Sequence, residues 1–510
     1  MFLIARFNTC ISASIRHPVR MISILATLAT SPLQVMAAQL PDLGDSSEAA
    51  LSHQDEKQLG EQTMQRVRAS GGYFNDPEVN AYLSSLGQRL IATDAQIGEK
   101  FEFFFFAVPS AEINAFALPG GYIGVNTGLI IATESESELA SVIAHEITHV
   151  SQHHIARQMA SQSGSSLTSL AVLAAVLAAG SSNGQAASAA MAGMTALQQQ
   201  HQIDFTREHE LEADRLGFSL LSQAGFDPHA MPVFFEHMQR RSRHQETKTP
   251  SYLLTHPITT ERIAEARNRA ENLPYRQVQD SQDFQLVRAL LRSYEGEPEV
   301  AVARFQSELD DGRYRNRNAA RYGYAAALLR SKDYLGAINQ VDALERDGLR
   351  HPMIESLAAI ALQESGQREA AQKLYQTALA RYPDHLQLIY DYPRALISDQ
   401  LYEAAASFAE AQLTRRRNDA TLHQLAAEAN AGLGRQLKLH YHQGEFYAEQ
   451  GNLGAAAEQF ALAIRANDGK FQDLLVVESR QREIRLTMGA LSQPNNGRKR
   501  ELRGQSPGQG

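Results

Sequence analysis

The second half of the chain repeats itself. The stretches "EPEVAVARF", "KDYLGAINQV", "QREAAQKLY", "LYEAAASFA" and "NLGAAAEQF" each set a small residue four positions before a large or apolar one, with Ala301, Ala337, Ala371, Ala405 and Ala456 at their centres. Those alanines stand 36, 34, 34 and 51 residues apart. A period of about 34 residues holds two helices and their turns, and the longer gap adds one further helix. A single such unit cannot bury its apolar face, so residues 284–490 are expected to stack into an all-α solenoid.

The spacing, with small residues where helices would touch, resembles the tetratricopeptide repeat. That resemblance implies a concave surface for proteins or peptides. Behind it, residues 491–510 are polar and Gly-rich and are expected to be disordered.

At 510 residues the chain is too long for one core. Residues 1–38 have the build of a secretory signal peptide: Arg6, Arg16 and Arg20 precede the apolar "MISILATLAT", and "VMAA" ends in small residues. The apolar run is shorter than the roughly 20 residues that a spanning helix needs. The one cysteine, Cys10, falls in this segment, so any metal held by the mature chain must use His, Asp or Glu. A net charge of −9 offers no basic surplus for nucleic acid.

Residues 39–278 read as an α+β domain, mostly helical with a small sheet. "QLGEQTMQRV" and "PEVNAYLSSLGQRLIAT" have helical spacing. "FEFFFFAV" (101–108), "EINAFAL" (112–118) and "GYIGVNTGLI" (121–130) are aromatic and β-branched, broken by Pro and Gly, and read as strands. From about Ser135, "SESELASVIAHEITHVSQHHIARQM" keeps a 3.6-residue period without a break. Residues 161–200, rich in Ala, Ser and Gly, suggest either a packed helical hairpin or a segment touching a membrane surface. A further helix at 205–225 would end at Gly225.

The stretch "SVIAHEITHV" places His145 and His149 on one face of its helix with Glu146 beside the first. Three polar groups in an apolar helix are costly unless something satisfies them. One Zn2+ ion would do so: zinc takes two imidazoles readily and lowers the pKa of a bound water towards about 7, and Glu146 could take up the proton released. A third protein ligand is required. On "REHELEADRLG", Glu208 and Glu212 share one face and Glu210 and Asp214 another, and spacing does not choose between the pairs.

"HEITH" followed by "ELEAD" resembles the zinc metallopeptidase family that includes the CAAX prenyl endopeptidase and the HtpX heat-shock protease. The likeness extends through "INAFALPGGYIGVNTGLI" and "LLTHPITTERI". It implies a zinc endopeptidase with His145, His149 and Glu210 as ligands, Glu146 as catalytic base and Asp214 as a supporting carboxylate. It also implies an edge strand through Asn114, Ala115 and Phe116 where an extended substrate could pair, the other reading being an internal hairpin. Membrane-embedded members have several spanning helices and this sequence has none, which points to a periplasmic enzyme, soluble or peripheral to the outer membrane. The clients so implied are unfolded or stalled outer-membrane β-barrel proteins, with the barrel assembly machinery reached through the repeats.

His256, in the loop "THP", could enter the fourth zinc position and hold the enzyme inactive, or else contact substrate or serve a structural role only. Arg262, in the next helix, could steady an oxyanion or form a salt bridge. His153, His154, His201 and His209 read as exposed helix residues, with His153 on the face of His149.

Overall fold

The computed structural model describes residues 51–161, 207–244, 250–274 and 276–492. The signal peptide, most of the 161–200 segment, His201 and nearly all of the C-terminal tail lie outside the described residues. The described residues form one compact unit.

Three helices lead in: α1 (His53–Ala69), α2 (Pro77–Ile91) and α3 (Ala95–Lys100). α2 starts where the sequence says it should, with Pro77 in the first turn and the Asp76 carboxylate accepting from the N–H groups of Glu78 and Val79. Strands β1 (Phe104–Val108), β2 (Ala115–Leu118) and β3 (Tyr122–Asn126) form a sheet in the order β1-β3-β2. β1 runs parallel to β3, Phe104 opposite Tyr122, and β2 antiparallel, Ala115 opposite Val125. The expected strand at 121–130 is therefore half right. After Asn126 the chain turns into helix α4 (Thr127–Ala132), because a short apolar run such as "GLIIA" fits either structure.

Helix α5 (Glu136–Ser151) begins one residue after Ser135, whose hydroxyl accepts from the Glu138 N–H. Every residue from Glu136 to Val150 is buried, so the helix runs through the middle of the domain. It does not continue to Met159 as expected. His153 adopts φ 52°, which breaks the helix, and a separate helix, α6 (His154–Ser161), follows. No Gly or Pro marks the break, which is why periodicity passed over it.

Helix α7 (Arg207–Gln223) crosses α5 closely and ends before Gly225, which takes the expected positive φ, 80°. The crossing depends on Gly217: a Cβ there would lie 3.1 Å from the Ala144 carbonyl carbon and from the His145 nitrogen. Helices α8 (Ala230–His244), α9 (Ser251–Thr255) and α10 (Thr260–Glu271) complete this half.

Twelve helices follow, from α11 (Gln282–Ser293) to α22 (Phe471–Ser492). The repeat-centre alanines Ala301, Ala337, Ala371, Ala405 and Ala456 are all 0% exposed. Where Phe305 and Phe460 stand four residues on, a neighbouring helix offers a seat, Gly323 on the following one and Gly444 on the preceding one, and a Cβ at either would lie within 2.5 Å of the ring. The 51-residue gap holds two helices, Ala420–Gly432 and Gln436–Glu449, where the regular spacing holds one. This is the extra helix the spacing implied. The apolar core does not stop near residue 280: it runs without interruption from Val79 to Ala358. Farther along, the array and the first helices face each other across a cavity of about 1320 Å³, with Arg68 and Phe104 on one side and Tyr390 and Arg416 on the other.

Candidate metal centre

The crossing of α5 and α7 brings the two motifs together. His145 and His149 project from α5 with their Nε2 atoms 2.9 Å apart. From α7, the Glu210 carboxylate lies 3.5 Å from His145 Nε2 and 3.4 Å from His149 Nε2. Glu212 is on another side of α7, and Glu208 is exposed. The pair Glu210 and Asp214 therefore faces the histidines, and the choice that spacing left open is settled by how α7 is docked.

His256 is the residue that caps α9, the short helix standing where a loop was expected. Its Nδ1 is 3.0 Å from Glu210 and 3.3 Å from His145 Nε2. Its Nε2 is 3.4 Å from a Glu146 oxygen. The Tyr252 ring stacks on it at 4.9 Å, and the Tyr252 N–H donates to the Ile113 carbonyl, tying the segment to the approach to β2. All four donors, from His145, His149, Glu210 and His256, are buried and lie within 4.8 Å of one another. Ligands about 2.0–2.1 Å from one tetrahedral ion sit about 3.3 Å apart, so these separations, with a nitrogen-rich set lacking sulfur, fit a zinc-like cation.

Each ligand is held from behind. Asp214 Oδ1 is 3.0 Å from His145 Nδ1, which fixes that ring with Nε2 towards the centre. Asp214 is thus a positioning carboxylate that does not face the cleft. Burial works against a charge on His145, but Asp214 and Glu210 outweigh it and raise its pKa to about 9, so an entering cation must displace that proton. Burial lowers the His149 pKa to about 3 and leaves it neutral. Behind His149 stands a residue that sequence reasoning placed in solvent. His154 is fully buried, its Nδ1 is 2.9 Å from His149 Nδ1, and its Nε2 is 3.2 Å from Glu212 Oε2, which Arg157 holds at 2.9 Å. His209, also expected to be exposed, is buried and stacks on His154 at 4.5 Å. His153, expected on the face of His149, has left that face because its own backbone ends the helix.

Arg262 is 1% exposed. Its Nε and one Nη donate to the two Asp214 oxygens at 2.7 and 2.8 Å, while the other Nη meets Glu210 Oε2 at 2.7 Å and the Pro257 carbonyl at 2.9 Å. The salt-bridge reading describes these contacts, with the guanidinium committed to the two carboxylates. Burial opposes charge on Glu210, but His256 and Arg262 hold its pKa well below the usual range. Glu146 is fully buried beside the His pair, and burial pushes its carboxyl up.

Among the described residues, β2 is an edge strand of a three-stranded sheet. The Asn126 N–H donates to the Asn114 carbonyl, so the alternation of an antiparallel ladder pairs Phe116 with Gly124 and turns the N–H and C=O of Ala115 and Ala117 away from β3, on the side where Glu146 meets the Ala117 backbone. The segment is thus both the outer strand of this sheet, among the described residues, and one arm of an antiparallel hairpin with β3.

Residues 77–270 match Peptidase family M48. Over 82% of its length the chain is 34% identical to the "Beta-barrel assembly-enhancing protease" of Escherichia coli (strain K12), covering 86% of that protein. The chain belongs to peptidase family M48. A "Putative beta-barrel assembly-enhancing protease" of Vibrio cholerae is 33% identical over 83% of this chain and 88% of its own length. The "Mitochondrial metalloendopeptidase OMA1" of Schizosaccharomyces pombe is 31% identical over 39% of this chain and 54% of its own. This M48 peptidase is accordingly a metalloendopeptidase. Among the described residues no helix is long and apolar enough to cross a membrane.

Proposed function

We propose that this M48 peptidase is a zinc endopeptidase of the periplasm that takes unfolded or stalled outer-membrane β-barrel proteins as substrates, cleaving those that cannot assemble and assisting those that can. The observation that carries the reading is the convergence of His145, His149 and Glu210 beside Glu146, next to the outer strand of the small sheet. The names of the full-length bacterial relatives support the client class. The helical array, read as tetratricopeptide-like, would recruit clients and the barrel assembly machinery.

His145, His149 and Glu210 would hold the ion, which when bound supplies Lewis-acid polarisation and an acidified water. Asp214 and His154 keep the two imidazoles aimed, and Arg262 offsets the charge of the buried carboxylates. An extended client chain pairs with Ala115 and Ala117 as an added strand, which lays its backbone along α5. Glu146 takes the proton from the attacking water and returns it to the leaving amine nitrogen. Its raised pKa suits both transfers.

The position of His256 among the donors favours a second reading, an assembly chaperone or scaffold whose site is latched shut. Glu146→Gln separates the two. Loss of a general base lowers peptide cleavage by roughly 10²–10⁴-fold, and metal content should be unchanged. Full activity of the variant towards clients, in cleavage as well as assembly, would overturn the enzymatic reading.

A further inference from the structure

A second cluster of metal-type donors lies away from the centre described above. His53 and Glu56, one helical turn apart at the start of α1, meet His153 at the break between α5 and α6, with one donor atom of each within 4.8 Å of the others. Glu56 is 6% exposed, yet its one side-chain partner among the described residues is His153 Nδ1 at 3.7 Å, beyond hydrogen-bond reach. A carboxylate so buried needs a cation or a set of donors. His153 is held at φ 52°, a conformation a histidine adopts seldom and at a cost. That conformation turns the ring out of the α5 face towards α1. Phe101 flanks both imidazoles, its ring centroid 5.6 Å from His53 and 5.1 Å from His153.

We propose that His53, Glu56 and His153 form a second divalent transition-metal site. Two imidazoles and one carboxylate suit zinc and its neighbours rather than magnesium or calcium, which prefer all-oxygen shells. Three protein ligands leave an outward position for water. Ligands of one tetrahedral ion stand about 3.3 Å apart, so the site closes by a small swing of His53, the exposed member. Such an ion would cross-link α1 to the α5–α6 junction. The next residue after His153 is His154, which holds His149, so occupancy at the rim would bear on the geometry of the main centre through one peptide bond.

The experiment is zinc stoichiometry and affinity on the full mature chain by equilibrium dialysis, with Co2+ absorption as a second reading. The intact chain should bind two equivalents, the outer one more weakly. His145→Ala should keep one equivalent. His53→Ala, at an exposed position, should also keep one, and adding it to His145→Ala should leave none. His153→Asn, which tolerates the positive φ, should match His53→Ala. A single equivalent in the intact chain, or a second one indifferent to His53→Ala and His153→Asn, would overturn the proposal. Both outcomes are read whether or not the chain cleaves peptides.

Discussion

The hydrogen bonds around His154 set its tautomer. The Glu212 carboxylate can only accept, so His154 Nε2 carries the hydrogen and its Nδ1 is an acceptor. His149 Nδ1 must then donate, which leaves the His149 Nε2 lone pair facing the centre. An asparagine at 154 keeps an acceptor near the Nδ1 position, and a phenylalanine does not. His154→Phe should therefore weaken metal binding by roughly 10–100-fold, the usual cost of losing a ligand's support. His154→Asn should stay close to the parent in a chelator competition. His256 makes the opposite prediction. If its side chain occupies the fourth position at rest, His256→Ala should raise the rate of peptide cleavage, and an unchanged or lower rate would remove the latch. Helical spacing in "HEITH" put His145 and His149 on one face, whereas on "ELEAD" it left two pairs of carboxylates open and only the family resemblance singled out Glu210. His154 was illegible to spacing as well: its place depends on a backbone angle at His153 that no residue type announces.

Among the elements, the repeats were the most legible, because small residues at a fixed period have one economical use, close helix packing. The sheet was less so, since "TGLI" serves strand or helix until its neighbours are known. The far end of the array also carries a titratable element. His423 on α19 (Ala420–Gly432) is buried against His442 on α20 (Gln436–Glu449), with Nδ1 atoms 3.0 Å apart, and Glu410 of the Tyr402–Leu413 helix approaches His442. Burial lowers the His423 pKa from 6.5 to about 4. Burial works against ionised Glu410, but hydrogen bonds from His442, Lys438 and Asn430 bring its pKa to about 2. In both cases the unfolded chain binds the proton more readily, so stability falls with acid. The His423 contribution is whole above pH 6.5 and lost by about pH 4, and that of Glu410 is lost between about 4.5 and 2. Amide protection factors in the last four helices, which discount the intrinsic pH dependence of exchange, should fall as pH drops from 7 to 4. His423→Leu should blunt the change above pH 4.

At the scale of the molecule, the sequence suggests a junction near residue 280, and the packing does not divide there. Phe284, Leu286, Val287 and Leu291 on α11 are buried in the same core as α2 and α5. Farther on, His385 pairs with Glu78 at 2.9 Å and the Tyr294 hydroxyl meets Asp76 at 3.3 Å, so the array is tied to α2 at several points. Composition could report a change of texture but not that both textures share one interior. Each exposed side chain of that size costs about 1.5–3 kcal/mol. A fragment of residues 284–490 should consequently be less stable than the same helices in the intact chain, with a lower urea midpoint by circular dichroism. Equal midpoints would show that the array stands alone.

The open edge of β2 has a kinetic meaning. Ala115 and Ala117 offer only N–H and C=O groups, which every polypeptide can match and which carry no information about its side chains. On the proposed function, what such an edge would measure in a passing chain is the time its own strands remain unmatched. A client that closed its ladder quickly would give the edge nothing to hold, and a slow one would be captured whatever its sequence. Selection on that proposal would be a race between two rates, with the edge as its stopwatch.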